Sequence, residues 1–422
     1  MFDTNGKVAE RLMRYARIDS QSAHGFSYSP STAKQRDMGR ELAQEMERIG
    51  VSNVWFDEEH CVVYGTVPST LPDGGGMSVG FVSHLDTTPD VTGTNVKPWL
   101  LENYQGGDVV LNKEQGIVLK AEEFPRMSLY IGDDLIFSDG TTLLGGDDKS
   151  ACAIEMTVAD YLIQHPEIKH GPVQLAFTPD EEVAGGARDL QFDRFGAEVA
   201  YTIDGRGLGG YMCETFNATE SVIEIHGRNV HPGSAKGVMI NAVEIAAEYC
   251  DMLPALDRCQ YTEGREGYFH PYYCKGTADY CMIKTLIRDH DEERFLERKR
   301  YMEKCVEALR EKYGAERIDL HYANSYWSMK KVVDKVPFMI DYLVQAIKDN
   351  GVEPECIAMR GGTDGAQLSG RGLPCPNITA GYENGHSRFE FASVQAMAKT
   401  VDIIVDLLQI YAEKQPNGKE GK

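Results

Sequence analysis

Gly140-Thr141-Thr142-Leu143-Leu144-Gly145-Gly146-Asp147-Asp148-Lys149-Ser150 decides how the rest of the chain is read. A turn of small residues ends at Gly145-Gly146, and two aspartates follow at once. An apolar-periodic run over 151–163 then predicts a helix. Two aspartates at the head of a helix suit its dipole and its unpaired N–H groups, and taken alone that reading suffices. A Walker P-loop is excluded, because glycine rather than lysine follows the spacing Gly140-x4-Gly145. The sharper alternative is that one aspartate points into a cleft as a metal ligand, and it rests on what the neighbouring segments supply.

Strand, acidic end and helix recur on both sides of this stretch. The apolar run 77–83 ends in His84-Leu85-Asp86, the run 173–178 in Pro179-Asp180-Glu181-Glu182, and the run 200–203 in Asp204-Gly205. This predicts an α/β sheet with its site at the carboxyl ends of the strands. Residues 8–18 and 32–49 read as amphipathic helices, the second N-capped by Ser31 or Thr32. Residues 51–56 and 62–67 read as short strands, and 87–125 as an irregular excursion with short hairpins. The texture changes after about Cys213. A strand at 221–226, a turn at His231-Pro232-Gly233, a helix at 240–253, a strand at 280–287 and a helix at 293–312 predict a small inserted α+β domain. The expected division is therefore 1–212 and 328–422 for one domain and 213–327 for the insert. A helix over 393–413 and a frayed tail at 415–422 close the chain.

Composition narrows the class of function. The chain has 422 residues, 42% hydrophobic, and no apolar stretch long enough to span a membrane, so a two-domain soluble protein is expected. A net charge of -22 argues against nucleic acid and anionic membrane as partners. Ten cysteines without a C-x-x-C pair point to reduced thiols and a cytoplasmic location. The first 20 residues carry charges throughout and lack the apolar core of a signal peptide.

The strand-end residues carry chemistry when taken together. His84 and Asp86 stand two apart, so both side chains share one face of the strand end. Imidazole and carboxylate are what Zn²⁺ takes when no thiolate is offered, and Asp86 is placed to accept the second ring N–H of His84. Glu181 and Glu182 are adjacent and point differently, so one can bind metal while the other takes a proton from water. Asp204 ends a strand, and His386 closes the turn-rich Gly381-Tyr382-Glu383-Asn384-Gly385-His386. Each feature alone is most simply a surface pair or a helix cap. His, Asp, Glu, Asp and His at successive strand ends form a two-metal hydrolytic site.

His84-Leu85-Asp86-Thr87-Thr88-Pro89, Leu144–Ser150, Thr178-Pro179-Asp180-Glu181-Glu182-Val183, Thr202-Ile203-Asp204-Gly205 and Gly381–His386 resemble the M20 family of zinc peptidases, in order and over nearly the whole chain. The resemblance implies a phosphorylase/hydrolase-like di-zinc catalytic domain of α/β class with an inserted α+β lid and dimerisation domain, hence a homodimer. It implies two Zn²⁺ per subunit, replaceable by Co²⁺ or Mn²⁺. His84 and Asp204 would hold one, Glu182 and His386 the other, and Asp147 would bridge. It further implies Asp86 as the residue orienting His84, Glu181 as the general base, and a cis peptide bond between Asp147 and Asp148. Residues 229–242, 261–270 and 360–366 look like the family's tripeptide aminopeptidases, which implies short peptide substrates shortened from the N-terminus. A dipeptidase, a carboxypeptidase or an N-acyl-amino-acid deacylase is the alternative. Ser387-Arg388-Phe389-Glu390 departs from the expected Gly-Lys-His-Glu, which touches the pocket rim. His231 is a candidate for the tetrahedral oxyanion and otherwise a turn histidine. Arg288 and Arg360 are candidates for a substrate carboxylate, because guanidinium recognises it bidentately.

Overall fold

The strands that lead to the site are buried on both faces. Val79–His84 and Val199–Ile203 are buried at every position. Alternate side chains enter opposite layers: Phe81, Leu175, Phe177 and Tyr201 join one apolar cluster, and Val82, Ala176 and Ala200 join another. Two-sided burial is why these segments read as continuous apolar runs. The computed structural model describes residues 2–26 and 28–414, so the expected frayed tail at 415–422 lies outside the described residues.

The chain divides into two compact units. Within the described residues the first runs to Cys213, resumes at Val332–Ile357 and again from Thr363. The second is Glu214–Lys331 together with Ala358–Gly362. The second unit thus runs past the expected end at 327 and takes a segment that was expected in the larger domain.

The first unit holds an eight-stranded sheet. Its order is Ser52–Asp57, Val62–Val67, Val173–Thr178, Val79–His84, Val199–Ile203, Asn377–Ile378, Gly210–Thr215, Glu355–Met359. The strands from Val173–Thr178 to Asn377–Ile378 are mutually parallel. Parallel strands bring their carboxyl ends to one edge, so His84, the residues after Thr178 and Asp204 arrive at the same place. Helices Thr4–Ala16, Gly146–Gln164, Phe338–Asp349 and Val394–Lys414 cover one face, contributing Leu12, Ile154, Leu343 and Leu407 to its cluster.

Two local expectations give way to tertiary contacts. The helix expected at 32–49 is Gln35–Ile49, and its N-cap residue Lys34 makes no side-chain capping bond, its ammonium pairing with Asp19 at 2.7 Å instead. Ser31 and Thr32 do not cap it because their hydroxyls are committed elsewhere: Ser31 donates to Asp180 and Thr32 to the Gln21 carbonyl. The excursion at 87–125 is more ordered than expected. Trp99–Leu101 and Leu135–Phe137 form a second sheet with Phe391–Ser393 and Tyr382–Glu383. Its last two strands pair antiparallel, and the connection between them carries His386.

The second unit is α+β. Its sheet, in the order Tyr268–Gly276, Tyr280–Asp289, Asn217–His226, Ile318–Tyr326, is antiparallel throughout. Ile223, Ile225, Ile283 and Ile287 pack against Ile245 and Tyr249 of helix Ala242–Met252 and Met302 and Val306 of helix Glu292–Tyr313. Two of these strands, Tyr268–Gly276 and Ile318–Tyr326, were not expected. No helix among the described residues is long and apolar enough to cross a membrane.

The first unit also buries a charge network. Arg11 is 2% exposed and bonds Glu45 at 2.8 Å, Asp160 at 2.7 Å and the Thr157 hydroxyl at 2.9 Å. Burial raises both carboxyls. The Tyr15 hydrogen bond and the Arg11 charge outweigh it at Glu45, and hydrogen bonds from Arg11 and Lys7 outweigh it at Asp160, so both lie below their ordinary values. Carboxyls with depressed folded values contribute stability that is present above their unfolded values, near about 4, and is lost as the pH falls through the folded ones. Arg11→Met removes the buried cation between the two acids, leaving Glu45 only Arg14 and Asp160 only Lys7, and is expected to cost about 1.5–3 kcal/mol. Urea unfolding at pH 7 checks the size, and melting from pH 7 to 3 should be flatter for the variant than for the parent.

Candidate active site

The site begins where the sequence reading began. Helix Gly146–Gln164 takes Gly145 as its N-cap, and Gly145 has φ +79°, a conformation natural to glycine. Asp147 and Asp148 have non-helical dihedrals and are joined by a cis peptide bond. Asp148 is wholly buried and accepts the His84 backbone N–H at 3.3 Å, whereas Asp147 faces the cleft. Burial pushes the Asp148 carboxyl well up.

Around Asp147 two imidazoles converge. His84 Nε2 lies 3.1 Å from Asp147 Oδ1, and His386 Nε2 lies 3.8 Å from Asp147 Oδ2. His386 Nε2 also lies 2.7 Å from Glu182 Oε2. A Cβ on Gly385 would come within 2.9 Å of Asp147 Oδ2, so glycine before His386 is what lets the two loops approach. Ligand atoms of His84, Asp147 and Asp204 lie within 4.8 Å of one another, and so do those of Asp147, Glu182 and His386. Asp147 is common to both groups.

Neighbouring residues aim these ligands. His84 Nδ1 lies 3.1 Å from the Asp86 carbonyl and 3.3 Å from Asp86 Oδ1, which leaves Nε2 free for the cleft. Asp86 is fully buried, and its carboxylate also accepts the backbone N–H of Glu181 at 3.0 Å and of Glu182 at 3.4 Å. His386 Nδ1 faces Asp90 Oδ2 at 3.1 Å and the Thr88 hydroxyl at 3.3 Å. Tyr382 donates its hydroxyl to Asp204 at 3.3 Å.

The electrostatics call for positive charge. Burial pushes the Glu181 carboxyl well above the carboxylate range; His84 opposes this and Asp204 adds to it. Burial and the neighbouring Asp147 push Glu182 up to about 7, against the hydrogen bond from His386. Asp204 also rises to about 7, from burial and Asp147. At Asp147 burial is outweighed by the His84 hydrogen bond and charge, and its carboxyl is held low. Glu182 Oε1 is buried without a hydrogen-bond partner. Imidazole nitrogens and carboxylate oxygens at these separations, with an uncommitted oxygen among them, suit a pair of divalent cations of the borderline class.

Three expected residues belong to the second unit. His231 is exposed, and its Nδ1 accepts the Gly233 N–H at 3.1 Å, which leaves Nε2 as the ring's donor. Arg360 donates to the carbonyls of Gly264, Glu266 and Thr262 and to the Thr262 hydroxyl, and lies over the rings of Phe216 and Tyr268. Arg360 is thus held against the 262–266 loop. Arg288 donates Nη1 to the Arg360 carbonyl at 3.0 Å, while its Nε is buried without a partner.

Sequence reading passed over Asp180. It is 2% exposed, and its carboxylate accepts from the Ser29 hydroxyl at 2.7 Å, the Ser31 N–H at 2.7 Å, the Ser31 hydroxyl at 2.5 Å and Gln35 Nε2 at 2.6 Å. It pins the Glu181-Glu182 loop to the segment before helix Gln35–Ile49. Asp364, which accepts from the Thr178 hydroxyl and the Ala187 N–H, pins the same loop from the other side. The only signal in sequence was an acid directly after an apolar strand.

Comparison with known proteins places this site in a family. Residues 213–317 match the profile of the M20 peptidase dimerisation domain. The chain is 44% identical over 411 residues to a peptidase T of Geobacillus thermodenitrificans, covering 97% of this chain and 99% of that one. It is 42% identical over 407 residues to a peptidase T of Clostridium botulinum, covering 96% and 99%. Among solved structures, the aminopeptidase PepT of Bacillus cereus matches with a TM-score of 0.77 at 22% identity over 97% of this chain and 99% of that one. A dinuclear metal-binding peptidase of the M20 family from Bacillus subtilis matches with a TM-score of 0.67 at 14% identity over 97% and 99%. The near-complete coverage at 44% identity, with the dimerisation profile on the second unit, means that the chain belongs to the peptidase T family of M20 peptidases.

Proposed function

We propose that the chain is a metallo-aminopeptidase that removes the N-terminal residue from tripeptides with the help of two zinc ions. The observation that carries this reading is that both candidate ligand groups contain Asp147. His84 and Asp204 would hold one ion, Glu182 and His386 the other, and Asp147 both. Co²⁺ or Mn²⁺ suits the same donors. Two divalent ions supply Lewis-acid polarisation of the scissile carbonyl and a lowered pKa for the attacking water.

The chain's own groups do the rest. Glu181 takes the proton of the attacking water and delivers it to the leaving amine. Burial raises its carboxyl, which is the direction that makes a carboxylate a stronger base. Asp86 keeps His84 in one tautomer through Nδ1 and holds the Glu181 backbone with the other side of the same residue. His231 is proposed to donate to the oxyanion. An enzyme restricted to tripeptides must also recognise the far carboxylate, about 10 Å along an extended chain. Arg288, with a buried Nε that nothing else uses, is the proposed cation. All ten cysteines are free, which supports a cytoplasmic location. The second unit is proposed as lid and homodimer interface. Dipeptidases and deacylases of the same family share the chemistry. Rates on a tripeptide, a dipeptide and an N-acetyl amino acid with added zinc separate them, and activity confined to the last two would overturn the reading.

Glu181→Ala is expected to lower kcat by about 10²–10⁴-fold with zinc content unchanged, because no ion depends on it. Loss of an ion in that variant, measured by elemental analysis, would mean that the wrong glutamate has been taken as base. Asp147→Asn is expected to weaken both ions at once; two zincs bound as tightly as in the parent would refute the shared role. Arg288→Ala should raise KM for tripeptides at least tenfold and abolish the preference for the free acid over the amide. A parent enzyme that already cleaves tripeptide amides as fast as the acids would show that no carboxylate is read.

A further inference from the structure

Glu390 stands four residues after His386, at the end of the connection between Tyr382–Glu383 and Phe391–Ser393. It is 1% exposed and takes no part in either ligand group. Its Oε2 accepts the backbone N–H of Leu144 at 3.0 Å and of Gly145 at 2.7 Å, and its Oε1 accepts that of Asp147 at 2.8 Å. These N–H groups form the turn that opens helix Gly146–Gln164. The first turn of a helix leaves its N–H groups without intrahelical partners, and Gly145, the N-cap residue, has no side chain to serve them. The turn is therefore capped by a carboxylate 243 residues away in sequence.

The donors explain why the residue is an acid. Three N–H groups converge on two oxygens. Glutamine would set an NH₂ group against one or two of them and could accept only with its single oxygen. A side chain on Gly146 would meet Glu390 Oε1 at 3.3 Å and the Cβ of Tyr382 at 3.1 Å, so the glycine admits the carboxylate. The loop is braced independently of Glu390: Asn384 Nδ2 donates to the Phe389 carbonyl at 3.0 Å, and the Phe389 ring packs 5.3 Å from that of Phe124.

We infer that Glu390 is a positioning residue that ties the Asp147 turn to the His386 loop and so sets the separation of the ligands on which both ions depend. It touches neither substrate nor reacting atoms, and the inference rests on the two-metal reading above. One carboxylate reaches the turn directly and His386 through four residues of its own loop. Losing it displaces Asp147, the residue common to both groups, and the displacement is felt first as metal affinity.

The test titrates the full chain, stripped of metal, with zinc in competition with a chromophoric chelator. Parent, Glu390→Gln and Glu390→Asp are compared, and thermal melting of each shows that it is folded. Glu390→Gln is expected to bind zinc about 10–100-fold more weakly at both sites, the usual scale for residues that support ligands. Glu390→Asp keeps the charge on a shorter stem and should fall between it and the parent, and it carries the test if the glutamine variant does not fold. Zinc affinity within about twofold of the parent in a folded variant, with only the melting temperature lowered, would reduce Glu390 to a structural residue and overturn the inference alone. A parent chain that takes up no zinc would overturn the two-metal reading and this inference with it.

Discussion

Acids crowded at one edge of a sheet are the constraint from which the rest of the first unit follows. Asp86, Asp147, Asp148, Glu181, Glu182, Asp204, Asp364 and Glu390 come together where four parallel strands end. Burial drives the carboxyls of Asp148, Glu181, Glu182, Asp204, Asp364 and Glu390 upward, and several of these raise one another further. Charges so placed are costly unless opposed by donors or cations. The two imidazoles and the backbone N–H groups of the loops supply part of that opposition. The proposed pair of divalent ions would supply the remainder, and Glu182, whose Oε1 is buried without a hydrogen-bond partner, belongs to one of the two candidate ligand groups.

A common plan runs through the loops that answer this constraint. Each pairs a residue facing the cleft with a neighbour that binds another loop. His84 faces inward while Asp86 holds the Glu181-Glu182 backbone. Asp147 faces inward while Asp148 holds the backbone of His84. Glu182 faces His386 while Asp180 anchors the segment before helix Gln35–Ile49 through Ser29 and Ser31. His386 faces Glu182 while Glu390 holds the Asp147 turn. The loops are thus cross-linked in a ring, and the acids outside the two candidate ligand groups fix the geometry of those within them.

The strand-end acids were legible in sequence because two-sided burial makes the strands beneath them continuous apolar runs. The second sheet was not: Tyr382–Glu383 has two residues and Trp99–Leu101 three, too few to show a period. Tyr268–Gly276 was hidden by Pro271, a residue that argues against a strand in sequence; the strand runs through it with a shift in pairing register. Ser31 and Thr32 have the chemistry of helix caps, and only the fold, which brings Asp180 and the Gln21 carbonyl to their hydroxyls, shows why they do not act as caps. Arg360 looked as available as Arg288, because nothing in a sequence tells which carbonyls a guanidinium will meet.

That last contrast bears on why reaction and substrate differ in legibility. The candidate ligands and base all belong to the first unit, and their identities follow from what a cation and a proton require: imidazole, carboxylate and fixed spacing at strand ends. Any hydrolase using the same ions meets the same requirements, so these motifs define a reaction class. Reading the far end of a peptide requires only one unopposed cation at the correct distance, and many surface arginines resemble one. In the second unit the distinction is made by hydrogen bonds: Arg360 has its donors taken by the 262–266 loop, and the same residue's carbonyl holds Arg288 by Nη1 while leaving its Nε unused. The Arg360 carbonyl thus positions Arg288, and in the proposed reading substrate length would be read by that arginine rather than by the metal site.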